Sequence, residues 1–212
     1  MNRPEVEGSR VTDSLIRMAG IAGIIGGVAI AIAYLTHPNS APPETVASAA
    51  WRWIHVGFMV SLIAGVFLLI ALLAAHMRTG GGYAGFTGFA LALLSMIFIF
   101  GLDYSEVFIF PTLAVEYPQV VERYGDGTSM PSLAFAFPVS GVLFVVGFVL
   151  FAWALHRKST VDPGAAFVTI LGTIVFGIGL SGLAPMVVVR VGAVIFGAGL
   201  VWLGVSLFRR YR

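Results

Sequence analysis

The chain has 212 residues, of which 58% are hydrophobic and only 10% charged, with a mean hydropathy of +0.97. An ordinary soluble domain carries about 25% charged residues. A chain this short cannot hide such an excess of apolar surface from water, so lipid is the solvent it is built for. The net charge of +2 is small and no basic stripe with interleaved aromatics is present, so nothing marks nucleic acid as a partner. The absence of cysteine removes disulfides, thiolate metal sites and iron–sulfur ligation.

Residues 1–17 hold Arg3, Glu5, Glu7, Arg10, Asp13 and Arg17 and read as a cytoplasmic N-terminal segment. It is not a cleavable signal peptide, because the apolar run behind it has no clear small-residue cleavage site. A helix needs about 20 apolar residues to cross the hydrocarbon core. Six runs meet that need, at about 18–36, 51–77, 83–106, 133–155, 164–183 and 187–208, ahead of a basic tail at 209–212. The runs are continuous rather than alternating, which excludes a membrane barrel. The expected fold is therefore all-α, a single bundle of six transmembrane helices over 18–208.

Loop charges orient it. With the N-terminus inside, Arg3, Arg10, Arg17, Arg78, Arg157, Lys158, Arg209, Arg210 and Arg212 fall on the inner side, against Arg52, Arg123 and Arg190 outside. Nine against three is a positive-inside bias that places both termini in the cytoplasm of a prokaryotic cell membrane. Trp51 and Trp53 fit an outer aromatic belt and Tyr211 an inner one. The inner turns, Arg78 to Gly82 and Arg157 to Pro163, are short. In the outer loop, Pro43-Glu44 is suited to begin a helix that runs into the second span. The longest outer segment, Glu116 to Ser132, contains Gly125-Asp126-Gly127. Matching features after the second and fourth spans, His76-Met77-Arg78 and His156-Arg157-Lys158, suggest an internal repeat of helix pairs.

Glycines recur in the first span (Gly20, Gly23, Gly26, Gly27), the fifth (Gly172, Gly177, Gly179, Gly182) and the sixth (Gly192, Gly197, Gly199, Gly204). Small residues let helix backbones approach closely in lipid, so Gly20, Gly23, Gly27 and Gly197 are expected at contacts within the bundle. An oligomer seam, or a seam with a larger membrane complex, is the alternative. Gly80-Gly81-Gly82 lacks the lysine of a P-loop.

Ionisable residues within spans are costly and usually functional. His55 lies one turn inside the second span. Asp103 and Glu106 share a face of the third, Arg190 opens the sixth, and His37 closes the first. Counting about 1.5 Å per residue puts this cluster at one depth near the outer boundary. Three readings stand. In the first, Arg190 and Arg52 neutralise the carboxylates and His55 adds a hydrogen bond, a structural lock. In the second, His55, Asp103, Glu106 and Arg190 form a shallow pocket for an ion, a proton or a small ligand. In the third, His37, His55, Asp103 and Glu106 hold a metal such as zinc. Beyond these four residues, Val107 to Val115 is apolar around Pro111. Either the third helix tilts steeply, or it breaks near Pro111 and Phe108-Ile109-Phe110 form a lid. Haem is disfavoured, because His55 and His76 sit about 31 Å apart on one helix. Retinal is disfavoured because the one lysine, Lys158, is in an inner loop. No cofactor is expected.

Trp51-Arg52-x-x-His55 opening one span and Glu106-x-x-x-x-Pro111-x-Leu113-Ala114 closing the next resembles a pattern in uncharacterised prokaryotic polytopic membrane proteins. The resemblance covers the second and third spans, implies no activity, and adds weight to His55, Glu106 and Pro111. No nucleophile–base pair is legible. The function expected is non-enzymatic binding or transport of a small solute or ion. The alternatives are an accessory or scaffold subunit and a metal-dependent membrane enzyme.

Overall fold

The computed structural model describes residues 3–38, 41–124, 130–180 and 184–211. Gly125-Asp126-Gly127, Ser181, Gly182, the expected end of the fifth span at Leu183, and Arg212 lie outside them. The described residues form nine helices and no strand: α1 (Arg3–Thr36), α2 (Pro43–Ala47), α3 (Ala49–Arg78), α4 (Tyr83–Phe108), α5 (Phe110–Glu116), α6 (Pro118–Tyr124), α7 (Pro131–Arg157), α8 (Pro163–Ile178) and α9 (Met186–Arg210). Six helices carry proline in their first turn, where its missing N–H has no intrahelical partner to lose. Five stretches are long and apolar enough to cross a membrane: Arg10–Thr36, Ala49–Arg78, Tyr83–Glu116, Ala134–Arg157 and Met186–Arg210. The helix Pro163–Ile178 is apolar but shorter.

α1 is helical from Arg3, so the expected N-terminal segment and the first span lie on one helix, and of the two readings of the third run the break is the one found. One sequence expectation is corrected. The helix beginning at Pro43 does not run on into the second span. Ser48 is extended (ψ 154°) and its hydroxyl accepts from the Trp51 N–H at 3.2 Å, which ends α2 and caps α3. The third apolar run breaks at Ile109, and Pro111 starts α5. Phe110 alone of the expected lid turns inward, while Phe108 and Ile109 stay exposed.

The five long helices and α8 touch in a ring. α1 packs on α3, α3 on α4, α4 on α7, α7 on α8, α8 on α9, and α9 returns to α1. Neighbours in sequence are thus neighbours in space, as short turns require. Leu68, Leu69, Leu72, Phe144, Phe148, Phe151, Phe196 and Leu203 fill the interior, and large apolar side chains such as Phe67, Ile97, Phe135 and Leu171 line the perimeter. That inside-out distribution suits a lipid solvent.

Glycine sets the tightest seams. A Cβ on Gly27 would run into the Gly197 carbonyl oxygen, and one on Gly20 would lie 2.6 Å from the Gly204 oxygen. A Cβ on Gly23 would lie 2.9 Å from a Leu68 methyl of α3. Gly172 and Gly192 seat the backbones of α9 and α8 on each other, and Gly88 and Gly147 do the same for α4 and α7. Beside Gly26, the Ser61 hydroxyl donates to the Gly26 carbonyl at 2.9 Å. Ser95 and Ser140 instead donate within their own helices.

The end carrying the α3–α4 and α7–α8 turns is knit by polar pairs. His76 is buried and its Nδ1 lies 3.3 Å from the Thr160 hydroxyl, which also meets the Thr79 hydroxyl at 2.9 Å. Arg210 donates to the Ser159 and Thr160 carbonyls at 2.6 and 2.9 Å. Arg78 pairs with Asp13 of α1. His156, the counterpart of His76 in the suggested repeat, instead packs on Phe167 and Trp153. The α1–α9 seam yields a direct test. Gly27→Leu should destabilise the detergent-solubilised protein by about 1–3 kcal/mol, the usual cost of overpacking, read as a lowered melting temperature. An unchanged value would mean the seam is not closed in the protein.

Candidate functional site

At the opposite end of the ring, α1 stops, α3 starts, α4 breaks and α9 starts, so His37, His55, Asp103, Glu106 and Arg190 all lie at that end. The local sequence explains the arrangement on α3. Trp51, His55 and Phe58 recur at helical spacing and share one face, and all three are buried. Trp53, on the other face, is 72% exposed. Of the two tryptophans expected in an outer belt, only Trp53 is exposed. Trp51 is a hub, because its ring packs with Val46, Phe110, Ala114 and Val121 in a small second core under α2, α5 and α6. These three short helices roof the site.

Beneath the roof the rings interlock. The centroid of His37 lies 5.3 Å from Trp51, 5.1 Å from His55 and 5.7 Å from Phe58. Trp51 and His55 are 4.4 Å apart. Tyr34 of α1 packs on Phe58 at 4.6 Å and on Phe176 of α8 at 4.8 Å. His55 Nδ1 sits 2.9 Å from the Trp51 carbonyl. A carbonyl only accepts, so Nδ1 carries the proton and a neutral His55 keeps Nε2 as its bare nitrogen.

The charged groups do not pair as the structural lock requires. Arg190 donates to the His37 carbonyl at 3.1 Å. Among the described residues, neither Asp103 nor Glu106 makes a hydrogen bond or an ion pair with His55, Arg52 or Arg190. The reason is the order of the ring: α9 borders α1, whereas the carboxylates lie on α4, across α3. Arg52 is exposed at the start of α3. Asp103 and Glu106 are half-buried. Asp103 lies within electrostatic reach of Tyr34 and of Glu106. The Trp51 indole lies against Glu106, yet the two close no hydrogen bond.

Five buried side-chain atoms among the described residues have no hydrogen-bond partner. Four of them, His37 Nδ1, Trp51 Nε1, Glu106 Oε2 and Arg190 Nε, belong to this one site. The fifth is His76 Nε2. A metal reading gains no geometry, since no three His, Asp or Glu side chains among the described residues come together to hold an ion. Tyr34 and Trp51 are the site residues that sequence reasoning missed. The i, i+4, i+7 spacing of Trp51, His55 and Phe58 was the available signal for Trp51, and Tyr34 had none. Comparison with protein-family models, curated proteins and solved structures finds no match.

Burial pushes the His37 imidazole below its ordinary pKa of 6.5, the Pro38 backbone opposes this, and the Arg190 charge adds to it. The folded protein then binds this proton less tightly than the unfolded chain does. The contribution of neutral His37 is intact above the ordinary value and is lost as pH falls through the lowered one. Melting temperature should fall between about pH 7.5 and about pH 5.5, and His37→Phe should flatten part of that fall. An unchanged slope in the variant would assign the effect to another group.

Proposed function

We propose that this membrane protein binds a small solute or ion, without catalysis, in a polar site at the outer end of a six-span bundle whose termini both face the cytoplasm. The bundle is read as one domain over residues 18–208 in a prokaryotic cell membrane. The sixth crossing is α8. With Gly179 and Leu180, which continue it in a wider turn, it covers about 27 Å at 1.5 Å per residue, against a core of about 30 Å. The nine-to-three distribution of basic residues supports the orientation.

The observation that carries the binding reading is the gathering of four partnerless buried polar atoms at one end. A buried polar group without a partner costs about 1–3 kcal/mol, and native proteins pair nearly all of them. A cluster that serves only to lock helices together satisfies most of its own groups, as the opposite end does with Thr79, Thr160, Arg210 and the Asp13–Arg78 pair, His76 Nε2 excepted. At this one Arg190 Nε has no partner, and the Trp51 N–H and Glu106 Oε2 face each other without closing a hydrogen bond, which supports a site whose partner arrives from outside.

Two measurements test the proposal. In a structural lock, Glu106→Gln and Arg190→Gln would each lower stability by several kcal/mol, about 3–5 for a broken buried pair. In a binding site, both variants keep the wild-type melting temperature and lose solute binding or uptake. For the orientation, the absence of native cysteine leaves a clean background. Single cysteines placed between Glu116 and Ser132 should react with an impermeant reagent in whole cells, and those beside Arg78 or Lys158 should not. The reverse pattern would overturn the topology.

A further inference from the structure

We infer that the α1–α9 seam binds an anionic phospholipid, with one acyl chain lying in a groove along the seam and the phosphate held by Arg17 and Arg209. Small residues on both helices bring the backbones together and leave too little side chain to cover the line where they meet. Gly27 and Gly197 form the floor of a groove of about 650 Å³ that opens on the perimeter of the ring, and Val28 and Trp202 stand at its sides. Both of these side chains are exposed. The groove reaches Arg209, at the end of the bundle opposite His37 and Glu106. From Gly197, near the middle of α9, to Arg209 is about 18 Å at 1.5 Å per residue. One leaflet contributes about 15 Å, half of the hydrocarbon core. The groove thus has the length of one leaflet, with a cation where a headgroup phosphate sits.

A second cation stands beside the first. Val28 and Ala198 line the groove. Arg17 lies three turns before Val28 on α1, as Arg209 lies three turns beyond Ala198 on α9, so each helix carries its arginine on the face that lines the groove. The antiparallel register brings the two to one level, and Arg17 stacks over Phe208, 4.7 Å from the ring centroid. Both arginines are exposed, and among the described residues neither side chain makes an ion pair or a hydrogen bond. Their charged neighbours are engaged elsewhere. Arg78 pairs with Asp13, Arg210 donates to the Ser159 and Thr160 carbonyls, and Asp162 accepts from the Gly164 N–H. Two guanidinium forks with no carboxylate suit a phosphate, which each can bind through paired N–H groups. A second copy of the chain suits the groove less well. Copies in one membrane point the same way, so a two-fold seam here would bring both sets of arginines together.

The test places the full-length protein in phosphatidylcholine bilayers with a small fraction of lipid carrying brominated acyl chains, and reads quenching of tryptophan fluorescence. Trp202 reports on the groove, and its share is the quenching lost in Trp202→Phe. Brominated phosphatidylglycerol should half-quench that share at a membrane fraction about 25-fold lower than brominated phosphatidylcholine, about fivefold for each arginine at the membrane surface. Arg17→Gln and Arg209→Gln should each give back about fivefold and keep the fold, since both side chains are exposed. Arg157→Gln, at an exposed arginine on α7, should leave the preference intact. Equal quenching by the two lipids would overturn the proposal. So would an equal loss in Arg157→Gln, the mark of a general attraction to basic surface. Relief of the quenching by inorganic phosphate, beyond that by sodium chloride of equal ionic strength, would assign the arginines to a free anion and overturn the lipid. A disulfide-linked dimer of Ala198→Cys, with Trp202 unquenched by either lipid, would give the groove to a second copy.

Discussion

The backbone-to-backbone seam between the first and last long helices holds the ring together. In lipid the hydrophobic effect cannot drive one apolar helix onto another, so association depends on close packing, and dispersion falls steeply with even a small gap. Gly20 and Gly27 are two turns apart on α1, and Gly204 and Gly197 are two turns apart on α9, meeting pairwise in antiparallel register. This register does more than close the ring. Continued to the end of α1, it sets His37 against the first turns of α9, where Arg190 reaches the His37 carbonyl across 153 residues of sequence. The packing of glycine thus fixes which cation the site has nearby and keeps it away from the carboxylates on α4.

The two ends of the bundle use polar groups in opposite ways. At one end, short turns bring hydroxyls, carbonyls and an ion pair into mutual contact, and the buried His76 has Gly85 facing it, where any Cβ would collide with the imidazole. At the other end, the aromatic rings are closely packed while His37 Nδ1 and Trp51 Nε1 stay unpaired. Under the proposed binding role, rigid rings that hold unpaired atoms in fixed positions would be preorganised for a ligand.

Much of the fold was legible because lipid imposes hard requirements on a sequence. Run length, continuous hydropathy and the glycine-rich stretches of α1, α8 and α9 each follow from one physical rule. The breaks were harder to read. Ser48 ends α2 by capping α3, a local hydrogen bond that competes with an otherwise helical stretch, and Pro111 decided the break at Ile109 only once tilt and breakage could be told apart. Gly88 and Gly147 gave no repeat to notice, although they seat α4 and α7 as closely as the glycine-rich helices are seated. At the site, residue types and depth were readable, which is why His37, His55, Asp103, Glu106 and Arg190 could be named. Partners were not, because the order of helices around the ring decides which charge can reach which, and no single span encodes that order.

Trp51 is where packing and the proposed site meet. Its ring belongs to the roof core with Val46, Phe110, Ala114 and Val121, while its N–H belongs to the site beside Glu106. Removing the whole side chain would collapse both, at a cost typical of deleting a buried tryptophan, about 3–5 kcal/mol. Trp51→Phe separates them, since phenylalanine keeps an aromatic ring under the roof and offers no donor to the site. A protein in which Trp51 serves only as core should lose a little stability and nothing else. A protein in which the indole N–H helps hold a ligand should lose affinity out of proportion to its small change in melting temperature. The distinction exists because a buried tryptophan carries one polar atom that its apolar neighbours cannot satisfy. Here that atom lies beside Glu106.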